Sequence, residues 1–226
     1  MKISALLSVN KFEGEICMTE FWEASFIEKQ MMWGLEPSHS AILAKDLFLK
    51  EKAKDILIPG IGYGRNAKIF SDNGLNVTGI EISKTAIDLA EQNRLEAKIY
   101  HGSVTDMPFD DKLYDGIFCY GLIHLLNEDE RSKLIKDCFN QLKPNGYMIF
   151  TAVSKKAPMY GKGTQLAKDY FETTYGVKLF FYDADSVKQE FGKYGLVEVS
   201  EVDEQDSHKN DKPPMTFTFI KCKKQS

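Results

Sequence analysis

The sequence predicts an α/β fold built on a mostly parallel sheet. Short apolar runs alternate with helix-length amphipathic segments from Asp55 to about Ile149, the pattern of strands joined by crossover helices. The first of these runs, Asp55-Ile-Leu-Ile-Pro, breaks into glycines at 60, 62 and 64. A buried strand ends this way where backbone must approach a ligand with no side chain between. Two later segments, Leu196–Val202 and Met215–Cys222, alternate apolar and polar residues and suggest an antiparallel pair closing the sheet.

Taken in order, an amphipathic helix is expected from Phe21 to Met32, packed on the sheet with Trp33 in the core. Strands are expected at Asp55–Ile58, Asn76–Ile80, Ala97–His101, Tyr114–Tyr120 and Gly146–Ala152, with helices around Asn66–Asn73, Lys84–Arg94 and Asp129–Leu142. Leu142-Lys-Pro-Asn-Gly146 places Pro and Gly where a helix stops and a strand restarts. Beyond Ala152, Lys155–Thr164 reads as a polar, flexible loop with Gly161 and Gly163 flanking Lys162, and the block to Tyr182 is rich in aromatics. Ser186–Tyr194 reads as a helix with Asp183 as its N-cap. The long acidic connection before the last strand carries Pro213-Pro214.

A chain of 226 residues, 43% hydrophobic, buries one substantial core, so one domain over 1–226 is expected, with 1–50 a helical cap and 153–182 a substrate lid. No run approaches the roughly 20 apolar residues of a membrane span, and Met1–Val9 is too short for a signal peptide. A cytoplasmic protein is expected. Cys17, Cys119, Cys138 and Cys222 include no C-x-x-C, and His39, His101, His124 and His208 form no ligand-spaced pair, so neither a disulfide framework nor a metal site is indicated. A net charge of −4 gives no basic footprint for nucleic acid, and a small-molecule substrate leads; oligomeric state is left open.

The glycine spacing narrows the cofactor. The dinucleotide fingerprint G-x-G-x-x-G needs a glycine where Arg65 stands, so a pyrophosphate at the helix N-terminus is disfavoured. Gly60, Gly62 and Gly64, continued as Arg65-Asn66-Ala67 and then Asn76-Val-Thr-Gly-Ile-Glu81-Ile82-Ser83, resemble the first half of a class I S-adenosylmethionine-dependent methyltransferase. The Gly-Arg-Asn step resembles the tellurite-resistance methyltransferases. Phe21-Trp22-Glu23 and Met31-Met-Trp33-Gly34-Leu-Glu-Pro37-Ser38 look like the N-terminal region of thiopurine, thiol and halide methyltransferases, where a Trp-containing segment folds over the cofactor. The resemblance implies a three-layer Rossmann-like sandwich with a seven-stranded sheet; the residues alone give only a mixed sheet.

Glu81 lies 21 positions after Gly60, near the roughly 20-residue offset at which such folds present a carboxylate to a ribose diol. Its neighbours are too apolar to place a bare acid there idly. With Ile82 beside it, Glu81 is expected at the adenosine ribose. His101-Gly-Ser103-Val104 resembles the segment that cradles adenine; Ser103 stands where an acid is common, so recognition falls to the Ser103 hydroxyl, the Val104 N–H or Asp106, which could equally cap a turn before Pro108. Tyr114–Leu125 resembles the fourth-strand motif, and backbone carbonyls of Cys119 and Tyr120 are the implied acceptors for the cofactor ammonium group. His124 is open between general base and packed or capping residue. Ile58 replaces the acid many of these enzymes carry two residues before the first glycine, leaving Arg65 or Asn66 to order the loop and the cofactor carboxylate.

The expected function is methyl transfer from S-adenosylmethionine to a thiol, heteroaromatic or metalloid nucleophile, enclosed by Trp22, Trp33, Tyr160, Tyr170, Phe171 and Tyr175. Two rivals stand beside it: a nicotinamide-dependent oxidoreductase, and a catalytically silent protein that binds S-adenosylmethionine or S-adenosylhomocysteine.

Overall fold

A computed structural model describes residues 18–174, 176–204 and 214–226. Among the described residues, ten strands form two sheets: β1 (Asp55–Pro59), β2 (Asn76–Glu81), β3 (Ala97–His101), β4 (Tyr114–Tyr120), β5 (Leu142–Val153), β6 (Thr164–Ala167), β7 (Tyr170–Glu172), β8 (Lys178–Phe180), β9 (Leu196–Glu204) and β10 (Met215–Lys223). The main sheet runs β3-β2-β1-β4-β5-β10-β9. Its first five strands pair in parallel, while β10 runs antiparallel to both β5 and β9. The expected mixed sheet of seven strands, with its antiparallel C-terminal pair, is therefore present.

The α-helices of the described residues are α1 (Met18–Lys29), α2 (His39–Lys50), α3 (Lys68–Ser71), α4 (Lys84–Gln92), α5 (Glu128–Asn140) and α6 (Ala184–Phe191). Strand periodicity divides the core into two layers. Ile56 and Ile58 pack with Ala41, Ala44 and Phe48 of α2 and Phe70 of α3. Leu57, between them, packs on the opposite face in a cluster with Leu134 and Ile135 of α5 and Val187 and Phe191 of α6. A one-residue slip of β1 would exchange these sets, so register is strongly specified. None of the helices among the described residues is long and apolar enough to cross a membrane.

Caps set the helix ends. Asn127 and Glu130 form a reciprocal capping box on α5, and the Asp183 carboxylate accepts from the Ser186 N–H at the start of α6, as expected. The helix expected over Asn66–Asn73 shortens to one turn, because Asn66 Oδ1 accepts from the distant Ser38 N–H and Gly74, with φ +79°, ends the segment. The Pro-Gly turn after α5 is absorbed into β5 as an interruption: Tyr114 pairs with Leu142, but Gly116 pairs with Tyr147. Trp33, expected in the core, is 38% exposed.

The largest departure lies after β5. The polar stretch is followed by β6, β7 and β8, a three-stranded antiparallel sheet. Phe171, Leu179 and Phe181 pack with Val153 and Ala157 beneath it. The Lys155 ammonium bridges Asp169 (2.7 Å) and Asp183 (2.5 Å), tying the β6–β7 turn to the start of α6. Met1–Val9, Cys17, Tyr175, His208 and Pro213, for which the sequence raised expectations, lie outside the described residues.

Candidate cofactor site

β1 and β4 are neighbours, yet the chain reaches β4 only after building β2 and β3 on the other side of β1. Open α/β sheets bind ligands at such a switch point, outside the carboxyl ends of the strands. Here β1 runs out into Gly60, Gly62 and Gly64, whose φ values of +69°, +58° and +82° occupy the left-handed region that glycine enters without steric cost. Amides of Gly60 and Ile61 donate to the Ile80 carbonyl at 2.9 and 3.1 Å, pinning the loop to β2. At Gly62 a Cβ would meet nothing within 4 Å, so this backbone faces open space.

Glu81 closes β2 beside that loop. Its carboxylate accepts from the Gly62 N–H (2.8 Å) and the Ser83 N–H (2.9 Å), and the residue is 6% exposed. Burial pushes its pKa up; backbone N–H groups of Ser83, Gly62 and Ile82, and the charge of His101, oppose that shift. Each oxygen holds one amide and keeps acceptor capacity for another donor. A buried acid beside open glycine backbone fits the two hydroxyls of a ribose. Glu81 thus stands at the end of β2, beside the glycine loop.

Side chains of the next residues turn away from that opening and hold the segment before α2. The Tyr63 hydroxyl donates to the Gly34 carbonyl (2.8 Å) and accepts from the Trp33 N–H (3.1 Å), with the Trp33 and Tyr63 rings stacked at 6.2 Å. Arg65 Nε donates to the Glu36 carbonyl (2.5 Å), and Asn66 takes the Ser38 amide (2.8 Å). Residues 33–38 thus form a strap along the glycine loop. At its far end the α2 amides of His39 and Ser40 donate to Glu204 of β9 at 2.8 and 2.9 Å. Arg65 and Asn66 therefore tie the loop to residues 36 and 38, and Trp33 lies beside it.

β4 ends at Tyr120, and Gly121, with φ +64°, turns the chain; its N–H donates to Thr151 Oγ1 at 3.0 Å. Cys119 is fully buried, which pushes the pKa of its thiol up. Tyr120 stacks on Phe217 at 5.5 Å. Leu122 leans over the loop, its Cδ2 3.0 Å from where a Gly60 Cβ would lie. His124 Nδ1 accepts from the Val153 N–H at 3.3 Å, and burial holds its pKa at about 3. That geometry is a packed, neutral histidine joining β4 to β5.

Ser103 accepts from the Thr105 N–H (3.2 Å) and caps the short 3-10 turn Val104–Asp106, with Val104 buried and Asp106 exposed. Reasoning from sequence missed Glu23, Tyr63, Ser83 and Glu204. Of these only Ser83 carries a local signal, as a serine before the amphipathic α4.

Residues 57–150 match the family described as "Methyltransferase domain". Among curated proteins, the chain is 27% identical over 113 residues to a ubiquinone biosynthesis O-methyltransferase of Coxiella burnetii, covering 48% of this chain and 47% of that one. It is 31% identical over 113 residues to the Rickettsia typhi protein of the same name, covering 47% and 44%. The chain thus aligns with about half the length of the curated relatives it matches. Among solved structures, Burkholderia thailandensis 1,6-didemethyltoxoflavin-N1-methyltransferase, with its substrate and S-adenosylhomocysteine bound, superposes with TM-score 0.69 at 13% identity, over 92% of this chain and 87% of that one. The glycine loop, Glu81 and the β4 exit all fall inside the span that matches the methyltransferase domain, and the sheet that carries them has the Rossmann-like fold of that solved methyltransferase.

Proposed function

We propose that the protein is an S-adenosylmethionine-dependent methyltransferase acting on a small molecule. The observation that carries this reading is the Glu81 carboxylate, buried at the end of β2 and held by the Gly62 and Ser83 amides beside open glycine backbone. When bound, the cofactor supplies a methyl group already made electrophilic by its sulfonium. Glu81 accepts from the ribose hydroxyls, Ser103 and Val104 border the adenine, and Cys119 and Tyr120 offer backbone carbonyls to the ammonium group. The remaining task is positioning and exclusion of water, an effect worth up to about 7 to 11 kcal/mol in well-oriented systems. A dedicated base is needed only when the nucleophile must lose a proton, and His124, neutral with Nδ1 engaged, is not assigned that role.

The acceptor class we favour is a thiol, heteroaromatic or metalloid nucleophile, with an oxygen nucleophile added by the names of the curated relatives. In this reading its walls come from two aromatic groups: Trp22, Phe26, Trp33 and Tyr63, which pack together between α1 and the glycine loop, and Phe171 of β7 with Tyr160 and Phe181 beside it. In this reading residues 153–182 cover the acceptor. The test is mass-spectrometric detection of S-adenosylhomocysteine when protein and S-adenosylmethionine meet thiols, phenols, metalloid oxyanions and total RNA. Turnover on small molecules supports the reading, and methyl incorporation into RNA alone overturns it. Tight cofactor binding without turnover on any acceptor shifts weight to a silent binding protein.

A further inference from the structure

Helix α1 reaches the ribose acid through one serine. The Glu23 carboxylate accepts from the Ser83 hydroxyl (2.6 Å), the Thr85 hydroxyl (2.5 Å) and the Thr85 N–H (3.2 Å). Ser83 is also the N-cap of α4, accepting from the Ala86 N–H at 3.1 Å, and it donates its own N–H to Glu81 Oε1 at 2.9 Å. Glu81 Oε2 in turn takes the Gly62 N–H at 2.8 Å. Four residues from three distant parts of the chain thus form one hydrogen-bonded line: Glu23, Ser83, Glu81, Gly62.

Every member has its direction fixed by the next. The Ser83 hydroxyl has one proton, and Glu23 takes it, which leaves the oxygen lone pairs for the Ala86 amide. With its hydroxyl held from both sides, Ser83 keeps its backbone N–H aimed at Glu81. The two amides, one on each oxygen, fix the plane of that carboxylate. Glu23 itself is half-buried; the penalty of its burial is outweighed by the hydrogen bonds from Ser83 and Thr85, which hold its pKa below the ordinary range, so it is an anion at neutral pH. A charged acceptor makes the stronger bond.

We infer that Glu23 is a positioning residue for the cofactor ribose, acting through Ser83 to hold the Glu81 carboxylate in its binding orientation. The inference rests on the functional reading above but has a ligand-independent part. It makes α1 a component of the cofactor site rather than a cover packed on it.

Two measurements test it. In the ligand-free protein, Glu23→Ala is expected to raise amide exchange at Gly62 and Ser83 by roughly tenfold or more, with the Phe150 amide of β5 unchanged as a control for global stability. Unchanged exchange at Gly62 overturns the linkage, whether or not the protein binds any cofactor. The second is a double-mutant cycle on S-adenosylhomocysteine affinity. Glu23→Ala is expected to weaken binding roughly five- to twentyfold in the wild-type background and less than twofold in Glu81→Gln. Glu23→Gln, which keeps an oxygen for the Ser83 hydroxyl, is expected to regain most of the loss. Equal losses in both backgrounds assign Glu23 to α1 docking alone and overturn the proposal. A wild-type protein that fails to bind S-adenosylhomocysteine defeats the functional reading, and the exchange result then decides the linkage by itself.

Discussion

Glu81 and Gly62 meet across 19 positions of sequence, the Gly62 amide donating to Glu81 Oε2 at 2.8 Å. The contact makes one carboxylate serve two purposes, since it orders the loop and still presents acceptor capacity to a ligand. Ile58, standing where an acid would be at home, is 3% exposed and packs in the core, so the ordering of this loop comes from β2 instead of β1.

Glu81→Gln should weaken S-adenosylmethionine binding by about 1.5 to 3 kcal/mol, roughly ten- to hundredfold, because a charged acceptor is lost while one amide oxygen remains for the loop. Glu81→Ala should in addition lower stability, since it leaves the Gly62 and Ser83 amides without their partner. Titration calorimetry beside urea unfolding separates the two effects. Unchanged affinity in a folded Glu81→Gln protein removes this residue from the site.

Two loop glycines should respond differently to a single methyl group, Gly64 chiefly in stability and Gly62 chiefly in ligand affinity. In Gly64→Ala the new Cβ would fall 2.6 Å from Leu95 Cδ2 at φ +82°, so a stability loss of about 1 to 3 kcal/mol is expected from strain and overpacking. Gly62→Ala meets nothing within 4 Å and should cost only the backbone strain of φ +58°, about 1 kcal/mol, while still blocking close approach of a ligand. Comparison of unfolding midpoints with cofactor affinity checks this. Tight binding by Gly62→Ala would count against the loop as ligand contact.

His124 should make stability depend on acid. Its folded pKa of about 3 lies below the ordinary 6.5, so the unfolded chain takes up the proton first. Its contribution is present above pH 6.5 and is lost as pH falls toward 3, at up to about 1.4 kcal/mol per pH unit. His124→Asn, which keeps an acceptor for the Val153 amide, should flatten that slope in denaturant titrations from pH 7 to 4. The same slope in both proteins would place the effect elsewhere.

Lys155→Met should loosen the small sheet selectively. It strips Asp169, 8% exposed, and Asp183, whose pKa is held at about 2 chiefly by the Lys155 hydrogen bond, of their shared cation. A loss of about 1 to 3 kcal/mol is expected, below the figure for a fully buried pair because Asp183 is partly exposed. Amide exchange should rise across β6 and β7 while β1 and β4 keep their protection. Uniform acceleration through the chain would show that the clasp serves the whole fold.

What the sequence determined by itself is what neighbours in the chain determine. The apolar run of β1, the alternation in β9 and β10 and the amphipathic spacing of α4 and α5 are local periodicities, and each produced its element. Gly60, Gly62 and Gly64 announced their backbone conformations because only glycine enters them freely. Glu81 was legible because the distance from a glycine loop to the end of the next strand is set by the length of one crossover. Tertiary structure alone decided the rest. β6, β7 and β8 are three or four residues long, too short to show a period, and exist because Phe171 and Leu179 find Val153 and Ala157. Glu23 and Ser83 are 60 residues apart, and Glu204 caps amides 164 and 165 residues away; no local rule connects them. Such partners are chosen when sheet and helices close, because a buried amide or carboxylate must be satisfied by whichever group the fold brings within reach.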